Sequence, residues 1–393
     1  MKTAQECKLF GAYQALAGIE DAVVLLHSVV GCNFGTLSFH VPNRMQDIRQ
    51  ACTVISDNEI INGGEKSLKL ALDSMLELYK PTAIFVISGC VSEMIGDDIQ
   101  AVIEPYSQDQ CIIRYVESAG FRGDFCDGYE HALLSLADLM EPYKVSAKPV
   151  INILGVSTDD YRAAADKKEL QKLLGDQAEL GTVFSQCTLD EVRKAPCAGL
   201  NLVLGHGIDL AREMKYRFGI PYELIDYPFG IEGLKEICEI FDRRFNINFS
   251  EDLARIKNEI SLGLEPIYTY LQACYGMPAA VIGRDARAKG LRRFLEKELG
   301  MEVVRFARRE EVGDLEEFYM TVRNSEVAVL FGSSFEQDLA DELKIPLVRF
   351  DYPIFDEVCI TGRSFIGTSG VLCLIEDILN AVMRNRVLKG ALY

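Results

Sequence analysis

The stretch from Ile84 to Asp98 constrains the fold more than any other part of the chain. Its first residues, Ile84–Ser88, form a short apolar run of the kind that becomes a buried strand, and Gly89 ends that run. Cys90 follows at once, and a helical pattern comes after it. This order of strand, turn and helix predicts a parallel sheet with the cysteine at its carboxyl edge, where open α/β sheets hold their ligands.

The same pattern recurs along the whole chain. Ala22–His27 predicts a strand that leads to a glycine-rich turn containing Cys32, while Glu93–Ile103 and Ser250–Leu271 each predict a continuous helix. Strand, turn and helix alternate three times over, which predicts the fold class α/β with three Rossmann-like α/β/α domains and mostly parallel sheets. We expect an N-terminal domain that carries the candidate cysteines, a second α/β domain, and a third that ends in a helix. Their predicted ranges are 1–146, 147–265 and 266–393.

Composition excludes several classes of protein. The 393 residues are too many for one core. The net charge of −18 argues against nucleic acid as a partner, because phosphate binding needs a basic face. We find neither an apolar run long enough to span a membrane nor a signal peptide, and we expect a cytoplasmic protein. Twelve cysteines in such a protein are not expected to form a disulfide framework.

Three of these cysteines lie beside glycines in a way that suggests a metal site. Gly31 precedes Cys32, Gly89 precedes Cys90, and a glycine also follows shortly after Cys7. Thiolates are the ligands that iron–sulfur clusters require, and glycine lets backbone amides approach the cluster sulfides. Three thiolates do not complete such a site, so a fourth ligand or a second chain is implied. Spacing alone leaves open buried structural cysteines and zinc or redox thiols, although the chain has no Cys-x-x-Cys pair.

Other candidate sites are weaker. Ile282–Gly290 resembles a nucleotide-binding turn but lacks the Gly-x-Gly-x-x-Gly pattern. The acidic pair in Gly96–Asp98 is expected inside a helix start, where carboxylates favour the helix dipole. His27 is the histidine nearest the candidate cysteines, and we expect it to pack and hydrogen-bond at the strand end instead of binding metal.

With these motifs the chain resembles component 1 of nitrogenase and its relatives, and most closely the β subunit of the molybdenum–iron protein. The separations of 25 residues between Cys7 and Cys32 and of 58 residues between Cys32 and Cys90 are typical of that subunit. The similarity runs through nearly the whole chain. The segments that carry it are Cys7-x-x-x-Gly11-Ala12, Ala17-Gly18-Ile19, His27, Gly31-Cys32, Gly63-Gly64, Tyr79-x-Pro81, Cys90-x-x-Glu93-x-Ile95-Gly96-Asp97-Asp98, Gly332-x-Ser334, Ile345–Arg349 and Tyr352–Asp356.

The resemblance implies a set of cofactors and partners. In that family three cysteines of β and three of α share the P-cluster, an [8Fe-7S] centre, so Cys7, Cys32 and Cys90 would be the share of this chain. The family's catalytic metal–sulfur cofactor is held by a cysteine and a histidine of the α subunit. Here Gly205 stands in place of that cysteine and residues 351–362 contain no histidine. The resemblance therefore implies an oxidoreductase subunit with the cofactor in an α-type partner, an α2β2 assembly, and an ATP-dependent reductase that carries a [4Fe-4S] cluster.

Departures from the family pattern leave the substrate open. Ser28 replaces a glycine after His27, and Gly120 stands where the β subunit has a serine that can join the oxidised cluster. A nitrogenase-like reductase, such as a methylthio-alkane reductase, fits at least as well as a dinitrogenase. The alternative is a cofactor-assembly scaffold with an interfacial [4Fe-4S] cluster, and a two-lobed solute-binding module is a third hypothesis.

Overall fold

The computed structural model describes residues 7–38, 50–108, 111–143, 146, 148–157, 159–184, 186–360 and 362–388. In this part of the chain, strands and helices alternate. The strands are β1 (Ala22–His27), β2 (Gln50–Cys52), β3 (Ala83–Ser88), β4 (Ile112–Val116), β5 (Val150–Leu154), β6 (Glu179–Val183), β7 (Leu200–Val203), β8 (Tyr222–Leu224), β9 (Pro278–Gly283), β10 (Glu302–Arg308), β11 (Val329–Gly332) and β12 (Leu347–Arg349). The helices are α1 (Lys8–Leu16), α2 (Val30–Ser38), α3 (Asp57–Asn62), α4 (Glu65–Leu78), α5 (Cys90–Ile95), α6 (Ile99–Ile103), α7 (Phe125–Leu134), α8 (Ala163–Leu174), α9 (Leu189–Lys194), α10 (Ile208–Phe218), α11 (Gly230–Phe245), α12 (Ser250–Leu264), α13 (Tyr268–Leu271), α14 (Asp285–Lys297), α15 (Leu315–Arg323), α16 (Gln337–Leu343) and α17 (Gly367–Leu388).

The strands form three four-stranded sheets. Their orders are β2-β1-β3-β4, β6-β5-β7-β8 and β10-β9-β11-β12. Strand β1 runs parallel to β2 and β3, β3 to β4, β5 to β7, β9 to β10 and β11, and β11 to β12. In each sheet the order of the strands departs from their order in the chain, so helical crossovers connect them. The predicted α/β class with parallel sheets is confirmed.

The chain forms two compact units. One contains the described parts of Met1–His40, Arg44–Thr158 and Gly181–Glu223, and it holds the first two sheets. The other contains Asp159–Leu180 and the described chain from Leu224 onward, and it holds the third sheet with α8 and α11 to α17. The three-domain division at residues 146 and 265 remains a prediction.

Strand β1 shows why the first sheet is covered on both faces. Its residues are all buried, and they belong alternately to two separate apolar clusters. Val24 and Leu26 pack in the cluster that contains the apolar residues of α1 and α7, while Val23 and Leu25 pack with those of α4 and α6. This is the arrangement expected of a parallel sheet, whose strands read as continuous apolar runs because both faces are buried.

Three predicted boundaries were wrong for local reasons. Cys32 lies inside the first turn of α2, not in a turn before a helix. The helix predicted over Glu93–Ile103 is two helices, because Gly96 adopts a left-handed φ of 79° that ends α5, and α6 begins after it. The helix predicted over Ser250–Leu271 is also interrupted, since α12 ends shortly before Pro266.

Among the described residues, no helix combines the length and the apolar character needed to cross a membrane.

Candidate metal centre

Each of the three candidate cysteines lies at the N-terminal end of a helix. Cys7 directly precedes α1, Cys32 is the third residue of α2, and Cys90 is the first residue of α5. Helices α2 and α5 follow the neighbouring parallel strands β1 and β3, whose last residues, His27 and Ser88, are partners in the sheet register. Cys32 and Cys90 are therefore placed at the same carboxyl edge of one sheet, beside backbone N–H groups that favour a thiolate.

The third cysteine reaches this edge through the packing of α1 against α7. A Cβ atom on Gly11 would lie 1.8 Å from the Phe125 carbonyl oxygen, and one on Gly128 would lie 1.9 Å from the Lys8 carbonyl oxygen. Only glycine at both positions allows the two backbones to come so close. Cys7 also forms an antiparallel bridge with Asp124, immediately before α7. These contacts hold Cys7 against the first sheet although it precedes the sheet in the chain.

Gly120 lies between Cys7 and Cys90. Its N–H donates a hydrogen bond of 3.2 Å to the Cys90 Sγ atom. A Cβ atom at this position would lie 3.0 Å from the Cys7 Cβ atom and 3.4 Å from the Cys90 Sγ atom. The structure thus brings Cys7 and Cys90 together around a residue without a side chain, whose backbone N–H is directed at the Cys90 sulfur atom.

Electrostatic coupling connects Cys32 to the same group. Burial raises the pKa of the Cys7 thiol, backbone hydrogen bonds with Phe10 and Leu9 lower it, and the neighbouring thiols of Cys32 and Cys90 raise it further. The burial cost falls on the charged form, so a thiolate here needs a positive ligand or a metal to be stable. Cys32 and Cys90 therefore both lie within electrostatic reach of Cys7.

Sequence reasoning did not identify a fourth thiol, Cys52, at the end of β2. Cys52 Sγ lies 3.4 Å from the Ser28 carbonyl oxygen and accepts a hydrogen bond of 3.4 Å from the Val54 N–H. Burial raises the pKa of Cys52, a hydrogen bond with Val54 lowers it, and Cys32 raises it. Strand β2 has only three residues, too few for an apolar pattern to reveal it, so Cys52 could not be assigned to the first sheet from the sequence.

His27 does what was expected of it: it packs and forms hydrogen bonds. Its Nε2 lies 2.9 Å from Asp97 Oδ2 and its Nδ1 lies 3.0 Å from Thr53 Oγ1. Asp97 also accepts a hydrogen bond of 2.8 Å from the Gly64 N–H. Burial lowers the pKa of His27, although Asp97 opposes that effect. Asp97 therefore joins the end of β1, the turn before α4 and the segment after α5, while Asp98 caps α6 instead of facing a metal.

The chemistry of this group fits an iron–sulfur cluster. Around a single tetrahedral ion with metal–sulfur bonds of about 2.3 Å, thiolates lie about 3.8 Å apart. Within the described chain, Cys7, Cys32 and Cys90 do not form a group whose sulfur atoms all lie within 4.8 Å of one another. The buried Ser28 hydroxyl lies beside Gly89 and has no hydrogen-bond partner in the described residues. Thiols that are not gathered around a single ion, a backbone N–H donor at Gly120 and a spare hydroxyl donor at Ser28 are what a cluster with inorganic sulfides can use.

Large apolar side chains lie exposed around the three cysteines. Phe34 in α2 is 72% exposed, Met94 in α5 is 75% exposed and Phe121, next to Gly120, is 58% exposed. Val30 and Leu37 of α2 add to this surface. Exposed apolar side chains concentrated around one site mark an interaction surface. They also agree with the need for ligands from a second chain, because three thiolates leave a cluster incomplete.

Comparisons with known proteins point to one family. The family model described as "Nitrogenase component 1 type Oxidoreductase" matches residues 7–383. The chain is 31% identical to the nitrogenase iron-molybdenum cofactor biosynthesis protein NifE of Methanosarcina barkeri, over 76% of this chain and 68% of that protein. It is 24% identical to NifN of Bradyrhizobium diazoefficiens, over 96% of this chain and 88% of NifN. It is 22% identical to the nitrogenase molybdenum-iron protein beta chain of Methanococcus maripaludis, over 96% of this chain and 93% of that protein.

The fold agrees with a solved structure as well. The structure titled "Nitrogenase Cp1 at pH 6.5" superimposes with a TM-score of 0.80 and 19% identity, covering 98% of this chain and 93% of that one. At this identity the superposition supports the fold, while the family model carries the assignment over nearly the whole chain. The chain therefore belongs to the nitrogenase component 1 family of oxidoreductases.

Proposed function

We propose that this chain is the β-type subunit of a nitrogenase-like component 1 reductase and holds half of an interfacial P-cluster. The observation that carries the proposal is the placement of Cys7, Cys32 and Cys90 at helix N-termini on the first sheet, with Cys7 and Cys90 beside Gly120. The similarity to a nitrogenase beta chain over 96% of the chain supports the β-type role. When bound, an [8Fe-7S] cluster accepts and passes on single electrons.

The residues of this chain have separate tasks in that role. The three thiolates hold the cluster in position, and the N-terminal N–H groups of α1, α2 and α5 favour their charge. The Gly120 N–H donates to the Cys90 sulfur and the Ser28 hydroxyl is available as a further donor. Hydrogen bonds to cluster sulfur atoms and exclusion of water set the reduction potential.

The proposed partners follow from the incomplete ligand set and the apolar surface around it. An α-type subunit would cover Phe34, Met94 and Phe121, supply the remaining thiolates and carry the metal–sulfur cofactor, in an α2β2 assembly. An ATP-dependent reductase with a [4Fe-4S] cluster would deliver electrons. We place this complex in the cytoplasm, because thiolate ligands to iron and a chain of twelve cysteines suit a reducing compartment.

A second candidate function is a scaffold for cofactor assembly with an interfacial [4Fe-4S] cluster. The similarity to the NifE and NifN cofactor biosynthesis proteins favours it. Iron and sulfide analysis of the purified complex separates the two functions. About eight iron atoms at each subunit interface, counted apart from the metal–sulfur cofactor of the partner, support the P-cluster, and about four support the scaffold.

The ligand assignment is tested by substitution of one thiol. We expect Cys90→Ala to abolish the visible absorbance of the cluster and electron transfer while the far-UV circular dichroism stays unchanged, because a lost thiolate leaves iron without a ligand. The matched controls are Cys238→Ala and Cys274→Ala, which replace buried thiols of the second compact unit and should retain full iron content. Full cluster absorbance in the Cys90→Ala complex would show that the assignment is wrong.

A further inference from the structure

A buried carboxylate lies next to the cluster site and is not needed as a ligand. Glu93 is one turn after Cys90 in α5, and its side chain is only 5% exposed. One carboxylate oxygen accepts hydrogen bonds from the Ser88 hydroxyl and, at 3.0 Å, from the Ala119 N–H. The other accepts a hydrogen bond from the Arg122 Nε atom. A carboxylate buried to this degree is stable only with such partners.

Hydrogen bonds from Ser88 and Glu93 hold one short segment, residues 118–122, in place. The Ser118 N–H donates to the Ser88 hydroxyl at 3.1 Å, and the Ser118 hydroxyl donates to the Ser88 carbonyl oxygen at 2.8 Å. Glu93 then holds Ala119 and Arg122, on either side of Gly120. The segment is thereby attached to the end of β3 and to α5, the two elements that flank Cys90.

Gly120 is the residue of this segment that reaches the cluster site. Its N–H donates to Cys90 Sγ at 3.2 Å, and this bond depends on the direction of the peptide between Ala119 and Gly120. The peptide immediately before it is held by Glu93, which accepts the Ala119 N–H, and the Arg122 side chain is held by the same carboxylate on the other side of Gly120. The glycine itself has no side chain with which to hold its position, so the constraint comes from its neighbours.

We propose that Glu93 is a positioning residue that holds residues 118–122 against Cys90 and so maintains the Gly120 N–H hydrogen bond that tunes the cluster. The proposal rests on the proposed function and adds a residue that acts through the backbone. An N–H donor to a thiolate ligand stabilises the more negative, reduced cluster and raises its reduction potential. Loss of the donor lowers that potential.

Two substitutions separate the hydrogen bond from the charge. Glu93→Gln and Glu93→Ala both remove one negative charge and both leave Arg122 with Glu117 as its remaining carboxylate partner. Only Glu93→Gln keeps an oxygen that can accept the Ala119 N–H. A difference between the two variants therefore reports the position of the segment and not the charge.

The measurements are hydrogen–deuterium exchange of the amides of residues 118–122 and the midpoint potential of the cluster in the purified complex. We expect these amides to exchange at least about tenfold faster in Glu93→Ala than in the wild type, and within about twofold of the wild type in Glu93→Gln. The carboxylate bonds the Ala119 N–H directly, and by holding Ala119 and Arg122 it keeps the other amides of the segment in their own hydrogen bonds. We expect the midpoint potential of Glu93→Ala to lie below that of Glu93→Gln.

The matched control is Glu130→Ala, which also removes a carboxylate that accepts backbone N–H groups in the same compact unit. Glu130 accepts from Gly207 at 2.6 Å and from Asp209 at 3.1 Å. Its loss should accelerate exchange at residues 207–209 and leave the midpoint potential unchanged. A potential in Glu130→Ala that shifts like that of Glu93→Ala would overturn the proposal, because the effect would then be a general loss of stability.

The remaining outcomes are also decisive. Equal exchange and equal potentials in Glu93→Ala and Glu93→Gln would overturn the positioning role of Glu93. A wild-type complex without iron would refute the proposed function instead, and the exchange measurement, which needs no cluster, would still decide whether Glu93 holds the segment.

Discussion

At the scale of single residues, Gly120 is packed tightly against two of the candidate cysteines. The positions of Cys7 and Cys90 both depend on the absence of a side chain there, since a Cβ atom would approach the Cys7 Cβ atom to 3.0 Å. Neighbours this close must move by a few tenths of an ångström to accept a methyl group. Cys7 has little freedom to do so, because the bridge to Asp124 holds its backbone.

We therefore expect Gly120→Ala to lower the free energy of unfolding by about 1–2 kcal/mol and to reduce the iron bound by the complex. Iron analysis and denaturant unfolding of the same preparation provide the measurement. Gly313→Ala is the control, because a Cβ atom there meets nothing within 4 Å. Equal iron content in Gly120→Ala and the wild type would mean that Cys7 is not confined as described.

At the scale of elements, the contact between α1 and α7 determines where the first cysteine lies. The glycine of each helix faces backbone atoms of the other, with Gly11 against Phe125 and Gly128 against Lys8. A side chain can rotate away from a methyl group, but a carbonyl oxygen inside a helix cannot. The helices must therefore separate if either glycine acquires a Cβ atom.

For Gly128→Ala we expect a loss of at least about 2 kcal/mol in the free energy of unfolding and a loss of bound iron, because α1 carries Cys7 away from the sheet edge. Chemical denaturation and iron analysis measure the two effects. Gly263→Ala in α12 is the matched control: its Cβ atom would lie 3.0 Å from the flexible side chain of Leu372, and alanine favours a helix. Comparable losses in both variants would contradict the argument from rigid backbone contact.

At the scale of the whole molecule, buried ion pairs make stability depend on pH. Asp351 lies in the second compact unit and is fully buried. Burial alone would raise its pKa, but Arg284 and Arg287 outweigh that effect and hold the pKa at about 2. The Arg284 Nε atom donates to Asp351 at 2.9 Å, and Arg284 also pairs with Asp160 in the same unit.

The folded-state pKa of Asp351 is depressed, so its contribution to stability is present above the ordinary value of 3.8 and is lost as the pH falls toward about 2. The difference corresponds to roughly 2 kcal/mol at neutral pH. We expect Asp351→Asn to destabilise the protein at pH 7 and to weaken the dependence of its stability on pH between about 4 and 2. Unfolding by urea at several pH values tests this, with the exposed Asp176→Asn as the control. A wild-type stability that stays constant over this range would contradict the sign of the effect.

Much of the fold could be predicted, because the sequence patterns that indicate strands and helices involve residues close together in the chain. Apolar runs such as Ala22–His27 and the glycines that end them depend on neighbours in the chain, and the structure places β1 where the pattern predicted it. Boundaries failed where one residue's backbone conformation decided them, as at Gly96. Strand β2 was not predicted, because three residues are too few to show an alternation of apolar and polar side chains.

The sequence by itself determined the alternation of strands and helices and the three cysteines beside glycines, because these depend on residue type and short spacing. Only the tertiary structure decided that Gly120 lies between Cys7 and Cys90, that Cys52 lies at the edge of the first sheet, and that Glu93 accepts the Ala119 N–H beside Gly120. The physical reason is that these contacts close long loops, as between His27 and Asp97, which are 70 residues apart. Such contacts form only after parallel strands and close helix packing have brought the segments together.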